Sequence, residues 1–539
     1  MSSVCLIHVL SSNDAPDTAE VQALKEEKIA LESIARKLRL QLEEIEARLN
    51  KCEGALSAIR RVPNEIMGEI FAFSLETPSP LNKAGREELV NFGLVCQPWR
   101  DATLLTHRLW SSVAVFLHHL PGSYDQLSTW LGRAATVPKS LYVHSPSGPP
   151  TDNGPSIAII RELLTCGPAL DHLSLEFATT SDLEQLVHSL YLQNSDVPSR
   201  PWDNLRSLAI NVGGDWIDPE DVWFFNTEGD SKSIFSYLPR VTSFSLRLPD
   251  EKDLFAPSER TSGRLKLGVP PTFLEHLTSF EFTCDWEGPH ILTMLQHCSK
   301  LEHLVVDMVN DILYLGEEET ARQPFPWKGI LLPKLQTLRL KRHRANICLL
   351  DHLITPALAA LDIEMDGNQF MMSTWAGAEL LPVDSIRELV ETRSKCQDTL
   401  HSLRLRSFIA NLDDLLDIIA CMPSLTWLTL DNVRFSTPQK YSRFWGSLTL
   451  NKFLPLVRNL EVLHIDPQVS KDTIKDIMAF LVERGRRVPP KCEVAVSFQE
   501  MAVAGREDIL QAWHHSNFDG YASMEEFGLD FRIVPHEDQ

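Results

Sequence analysis

A six-residue frame, L-x-x-L-x-L, recurs ten times between Leu170 and Ile465. It reads LDHLSL from Leu170, LRSLAI from Leu205, VTSFSL from Val241, LTSFEF from Leu277 and LEHLVV from Leu301. LQTLRL from Leu335, LAALDI from Leu358, LHSLRL from Leu400, LTWLTL from Leu425 and LEVLHI from Leu460 complete the series. Each frame ends in alternation, the period of a half-buried strand. Helical patterns lie between frames. SDLEQLVHSLYL (181–192) sets Leu183, Leu186, Val187 and Leu190 on one face, behind a Ser181/Glu184 capping box. The stretches 384–395, 411–422 and 472–485 behave alike. One strand with one helix cannot bury its own apolar face, so only stacked units create a core.

Strand, turn and helix in repetition predict an α/β fold: a leucine-rich-repeat solenoid, or horseshoe, over 114–498. Successive frames lie 23 to 42 residues apart, where about 20–29 is usual. The Asn or Cys that follows the strand in regular repeats is mostly missing, so the solenoid is expected to be irregular. Concave solenoid faces bind partners. The solvent-facing candidates are His172 and Ser174; Arg206, Ser207 and Ala209; Gln336, Thr337 and Arg339; Ser402 and Arg404; and Trp427 with Thr426 and Thr429. Arg206, Arg339, Arg404 and Trp427 stand out as substrate contacts, because arginine and aromatic residues dominate binding hot spots.

Residues 20–59 carry a heptad. Val21, Leu24, Lys28, Leu31, Ala35, Leu38, Leu42, Ile45, Leu49, Cys52, Leu56 and Ile59 alternate at spacings of three and four, and only Lys28 is polar. The pattern predicts one coiled-coil helix, about 58 Å long at 1.5 Å per residue. In a parallel homodimer Arg48 pairs with Glu53 but Glu27 faces Glu32, so charge does not select self-pairing there. A heteromeric partner or folding back onto the chain stays open. The segment 1–19 ahead of this helix is expected to be disordered.

The block 60–113 reads as a small helical docking module. Pro63 suits a first helical position. Ile66, Ile70 and Phe71 form an apolar ridge, and Leu94, Val95, Cys96 and Trp99 form a second apolar unit. ETPSPLNKAGREE (76–88) between them reads as a polar loop, and Leu109-Trp110 closes the block. So many large apolar residues on so short a unit mark a protein interface. Nothing in the block resembles a nucleophile, a general base or a metal ligand.

These residues resemble the F-box family. Val62-Pro63-x-Glu65-Ile66-Met67-x-x-Ile70-Phe71 is similar to that family's opening motif. Leu94-Val95-Cys96-x-x-Trp99-Arg100 and Leu109-Trp110 are similar to its second half and its end. TWLGRAATVPKSLYV (129–143) resembles the segment that follows the box in a large group of fungal F-box proteins. The resemblance implies docking on a Skp-type adaptor, which bridges to a cullin scaffold and a RING subunit. It assigns Pro63, Glu65, Ile66, Ile70, Phe71, Leu94, Val95, Cys96, Trp99, Leu109 and Trp110 to adaptor binding. The chain is then expected to be the substrate-recognition subunit of an SCF-type ubiquitin ligase, with the repeats holding a protein substrate. The alternative is a ligase-independent interaction scaffold built on the coiled coil and the repeats.

Composition narrows the function further. The formal net charge of −22 repels phosphate backbones and anionic membrane surfaces, so neither nucleic acid nor membrane is expected as a partner. The ten cysteines form no C-x-x-C pair and no metal-ligand spacing. Reduced thiols in a cytoplasmic or nuclear protein are the expectation. The 18 histidines are scattered, and no phosphate-cradling loop or catalytic signature occurs. A non-enzymatic protein without cofactor or metal follows. Three features read as surface: the acidic, aromatic insert 211–230 and the basic runs 341–344 and 484–487. FDGYASMEEFG (518–528) fails the spacing of a calcium loop, and 499–539 reads as an acidic cap or tail.

Overall fold

The computed structural model describes residues 15–75, 79–117, 124–145, 154–177, 180–192, 200–213, 233–248, 267–286, 290–308, 329–343, 348–365, 382–435, 438–450, 453–465, 476–477, 479–480, 483, 492–498 and 529–533. The expectations for residues 1–14, most of the insert 211–230, the run 484–487 and the loop at 518–528 lie outside the described residues. The chain divides into two compact units: Met1–Glu76 with Glu88–Thr106, and Thr77–Glu87 with His107–Gln539.

The first unit opens with helix α1, Thr18–Leu56. Asp17 caps it through a reciprocal box: its carboxylate accepts from the Glu20 amide, and the Glu20 carboxylate accepts from the Asp17 amide. The helix ends at Leu56, where Ser57 turns extended, and a separate turn of 3-10 helix runs Ala58–Arg61. Ile59 is therefore off the helix to which the heptad assigned it. Helix α2 is Asn64–Ser74, α3 is Lys83–Val95 and α4 is Gln97–Leu105. Pro63 is the N-cap of α2 rather than its first residue. The segment 76–88 is not a loop throughout, because α3 already begins at Lys83.

The second unit is built on a fourteen-stranded sheet whose strands follow one another in chain order. These are β1 Ser112–Phe116, β2 Ser140–His144, β3 His172–Phe177, β4 Ser207–Val212, β5 Ser243–Arg247, β6 Ser279–Thr283 and β7 His303–Asp307. After them come β9 Thr337–His343, β11 Ala360–Met365, β12 Ser402–Ala410, β13 Trp427–Phe435, β14 Asn459–Ile465, β15 Cys492–Phe498 and β16 Leu529–Ile533. Neighbours pair in parallel throughout. Two short strands, β8 Ile330–Leu331 and β10 Leu353–Ile354, pair with each other apart from this sheet.

Parallel strands need crossovers, and described helices supply several of them. These include α5 Tyr124–Gly132, α6 Gly154–Cys166, α7 Thr180–Leu192, α8 Leu412–Ala420 and α9 Pro438–Leu450. Leu183, Leu186, Val187 and Leu190 of α7 are all buried, as the helical period requires. The stretch 384–395 is helical from Val383 and passes into π-turns at Glu388–Arg393. In 472–485, Ile477 and Phe480 are helical and buried.

Every first, fourth and sixth frame position from Leu170 through Leu430 is buried. The core is one continuous cluster from Val113 to Val496. At the foot of most rungs, a carbonyl one residue before the strand accepts from two successive amides of the next. Asp171 O serves Arg206 and Ser207, and His401 O serves Thr426 and Trp427. Three corrections follow. β14 pairs Leu428 with Leu460 and Leu430 with Val462, so the tenth frame starts at Val457, three residues before the predicted Leu460. The sheet begins at Ser112, inside the segment assigned to the docking block. It ends at β16, inside the segment assigned to the tail.

Candidate docking and recognition surfaces

The core of the first unit is aromatic. Phe71 of α2 stacks on Phe92 of α3 at 4.6 Å and packs against Trp99 of α4 at 5.0 Å. Phe92 and Trp99 meet edge-on at 6.1 Å. Met67, Ala72, Leu75, Leu89 and Ala102 are buried with them. Gly68 lets α2 approach the end of α4: a Cβ there would lie 1.9 Å from Thr106 Oγ1. Cys96, fully extended at φ −161°, caps α4 and separates it from α3. The Arg100 Nε donates to the Gly93 carbonyl across that corner at 3.0 Å.

This frame sorts the predicted adaptor residues. Ile66, Ile70, Leu94 and Val95 are 53, 48, 67 and 61% exposed. Pro63, Glu65 and Cys96 are exposed as well, and Trp99 is half-buried. Phe71, Leu109 and Trp110 are not available for contact, at 2, 1 and 3% exposure. Phe71 belongs to the aromatic core. Trp110 lies in the second unit, 4.5 Å from Trp130, with the Arg133 guanidinium 4.5 Å above its ring. Four exposed apolar residues of this helical block were not singled out from sequence: Phe73, Val90, Leu104 and Leu105. Phe73 follows Ile66 and Ile70 at helical spacing, a signal that could have found it.

The open face of the sheet in the second unit has two characters. From β3 to β5 its central positions are small and neutral: Ser174, Ala209 and Ser245. From β6 to β14 it carries an ion-pair mesh. Arg339 Nε lies 3.2 Å from Asp362 Oδ2, and Arg406 Nη1 lies 3.4 Å from Glu364 Oε2. Asp431 gathers Arg404 and Arg406 at 3.4 Å each, together with Nδ1 of His464. Lys341 reaches Glu281 at 3.2 Å, and Arg342 reaches Asp307 at 2.6 Å. Burial pushes the Asp362 carboxyl above its ordinary range, against the pull of Arg339, Arg406 and Arg404. Burial lowers His172, whose Nδ1 lies 3.0 Å from Ser207 Oγ.

Of the predicted substrate contacts, Arg339 and Arg404 do lie on this face, but their charges are already engaged by acids. Arg206 precedes β4 instead of lying in it, and its Nε is 3.5 Å from Asp171. Trp427 is exposed, and its indole N–H donates to Thr429 Oγ1, which in turn donates to Glu461. Thr429 is consequently covered, not solvent-facing.

At the end of the strands a column of left-handed residues appears. Arg342, Ser407, Asn432 and His464 have φ of +53° and occupy the sixth position of β9, β12, β13 and β14. Such bulges re-aim side chains sideways: Arg342 turns to Asp307, Asn432 to Ser407 and His464 to Asp431.

Among the described residues, no group of three or more His, Cys, Asp and Glu could hold a metal ion, and no helix is long and apolar enough to cross a membrane. No protein-family model matches the sequence, and no curated protein matches it.

Proposed function

We propose that the chain is the substrate-recognition subunit of an SCF-type cullin–RING ubiquitin ligase, one that binds and does not catalyse. In this reading the first unit is an F-box that docks on a Skp-type adaptor. The parallel sheet and its helices are an irregular leucine-rich-repeat solenoid that holds a protein substrate in the cytoplasm or nucleus. The observation that carries the proposal is the split within the motif. Phe71, Phe92 and Trp99 close a core, while Ile66, Ile70, Leu94 and Val95 at the other motif positions are left in water. Large apolar side chains held out by a rigid frame mark an interface.

Co-expression with a Skp-type adaptor and size-exclusion chromatography tests it. The wild type is expected to co-elute with the adaptor. Leu94→Asp with Ile66→Asp is expected to abolish co-elution while leaving the helical circular dichroism unchanged, since neither residue is in the core. A folded wild type that elutes apart from the adaptor would leave the ligase-independent scaffold as the better reading.

A further inference from the structure

Helix α1 has no buried residue along its 39 positions. Leu31, Leu38, Leu42, Ile45 and Leu49 are 55–61% exposed. Helices in proteins owe most of their stability to packing of an apolar face, and no described residue buries this one.

We infer that the cover is a second copy of α1, running antiparallel, with the two-fold axis between Arg36 and Lys37. This register gives nearly full overlap of Thr18–Leu56 with itself. Its layers set Val21 against Cys52, Leu24 against Leu49, Lys28 against Ile45, Leu31 against Leu42 and Ala35 against Leu38 of the second copy.

Charge selects the orientation, because residues flanking a coiled-coil seam set partner and direction. In a parallel pair Lys28 meets Lys28 across the seam and Glu27 faces Glu32; only Glu20–Lys25 and Arg48–Glu53 are favourable. In the antiparallel pair Lys28 lies beside Glu46 of the second copy, with Lys25 on the same flank. Glu27 stands level with Arg48, and Glu32 with Arg39, each within two residues along the axis. Every one of these contacts occurs twice by symmetry. Sliding by one heptad spoils the match: one direction brings Lys28 to Arg39, the other sets Glu32 against Glu46. The exposed Lys28–Glu32 pair within one helix, at 3.7 Å, is too weak to compete. The inference does not depend on adaptor docking.

Cys52 is a native reporter, exposed and free. In a parallel pair it faces its own copy. In the antiparallel pair the two Cys52 residues are about 46 Å apart, at 1.5 Å per residue. The full-length chain at about 10 μM is expected to sediment as a dimer, and Leu42→Asp as a monomer with the thermal transition of the sheet unit kept. Mild oxidation of the wild type is expected to yield no Cys52–Cys52 peptide by mass spectrometry. Val21→Cys is expected to yield a covalent dimer through Cys52, lost when Cys52→Ser is added. Arg48→Glu should raise the dissociation constant roughly ten-fold by making two symmetric pairs repulsive, and adding Glu27→Arg should restore it. A monomeric wild type, or a Cys52–Cys52 disulfide, overturns the inference.

Discussion

The motif of the first unit shows what a single residue letter conceals. Phe71 and Ile70 are neighbours in sequence, yet Phe71 lies between Phe92 and Trp99 while Ile70 faces water. Motif matching gave both the same role. Helical geometry separates them, because Phe71 lies four residues after the buried Met67, and Ile70 four after the exposed Ile66. The same logic makes Gly68 a packing residue. A Cβ would sit 1.9 Å from Thr106 Oγ1, inside any real contact. Gly68→Val is expected to destabilise the unit by about 3 kcal/mol through overpacking, and Phe71→Ala by about 3–5 kcal/mol through the cavity it leaves. Chemical denaturation of each, beside Ile66→Ala at under about 0.5 kcal/mol, checks the assignment. A cost for Ile66→Ala equal to that of Phe71→Ala would put both in one core and remove the exposed ridge.

At the scale of elements, the strands were legible wherever the first apolar position of the frame was occupied. Nine frames give strands in the predicted register, with buried leucines, isoleucines, valines and phenylalanines where the alternation placed them. Besides the short β8 and β10, four strands of the large sheet were missed for a definable reason. β1 and β2 keep the alternation Val113-x-Val115 and Leu141-x-Val143, but Trp110 and Pro138 stand where leucine was sought. β15 and β16 keep Val494-x-Val496 and Phe531-x-Ile533 behind Lys491 and Gly528. The tenth frame failed differently. LEVLHI matches the template better than VRNLEV, and only strand pairing shows that the second is in step. The left-handed turn at His464 returns Ile465 to the core and leaves Leu463 half-exposed. Val457→Asp is therefore expected to cost several kcal/mol, as a charge in a dry core does, and Leu463→Asp about 1 kcal/mol or less. Thermal melts of the two variants compare the registers directly, and the opposite order would restore the frame at Leu460.

Across the whole sheet the problem is how a long parallel stack ends and how its open face stays ordered. The first edge is covered. Leu81 pairs with Val113 by donating to Ser112 O and accepting from the Ala114 amide, and Arg86 donates to the Ala114 carbonyl. This bridge occupies backbone groups that an open edge would offer to another strand. The face is ordered by ion pairs that close on one another, from Glu281 on β6 to Asp431 on β13, with the His464 ring of β14 beside Asp431. Sequence placed the arginines on that face but not their neighbours, because partners 23 to 27 residues away become adjacent only once the register is known. Asp362 is the member for which burial outweighs attraction, so its folded-state affinity for a proton exceeds that of the unfolded chain. The sign follows from linkage. A raised carboxyl contributes stability below its unfolded value, near 3.8, and loses it as pH rises through the folded one. By that sign, ionising the Asp362 carboxyl costs the fold stability. Asp362→Asn keeps the shape without the charge, and Arg339 retains Glu364 at 3.9 Å. The variant is expected to melt above the wild type at pH 7, with the gap narrowing as pH falls toward 3.5. A variant that melts lower at pH 7 would mean that the Arg339 pair outweighs the burial of Asp362, and that the mesh stabilises the sheet through this carboxylate.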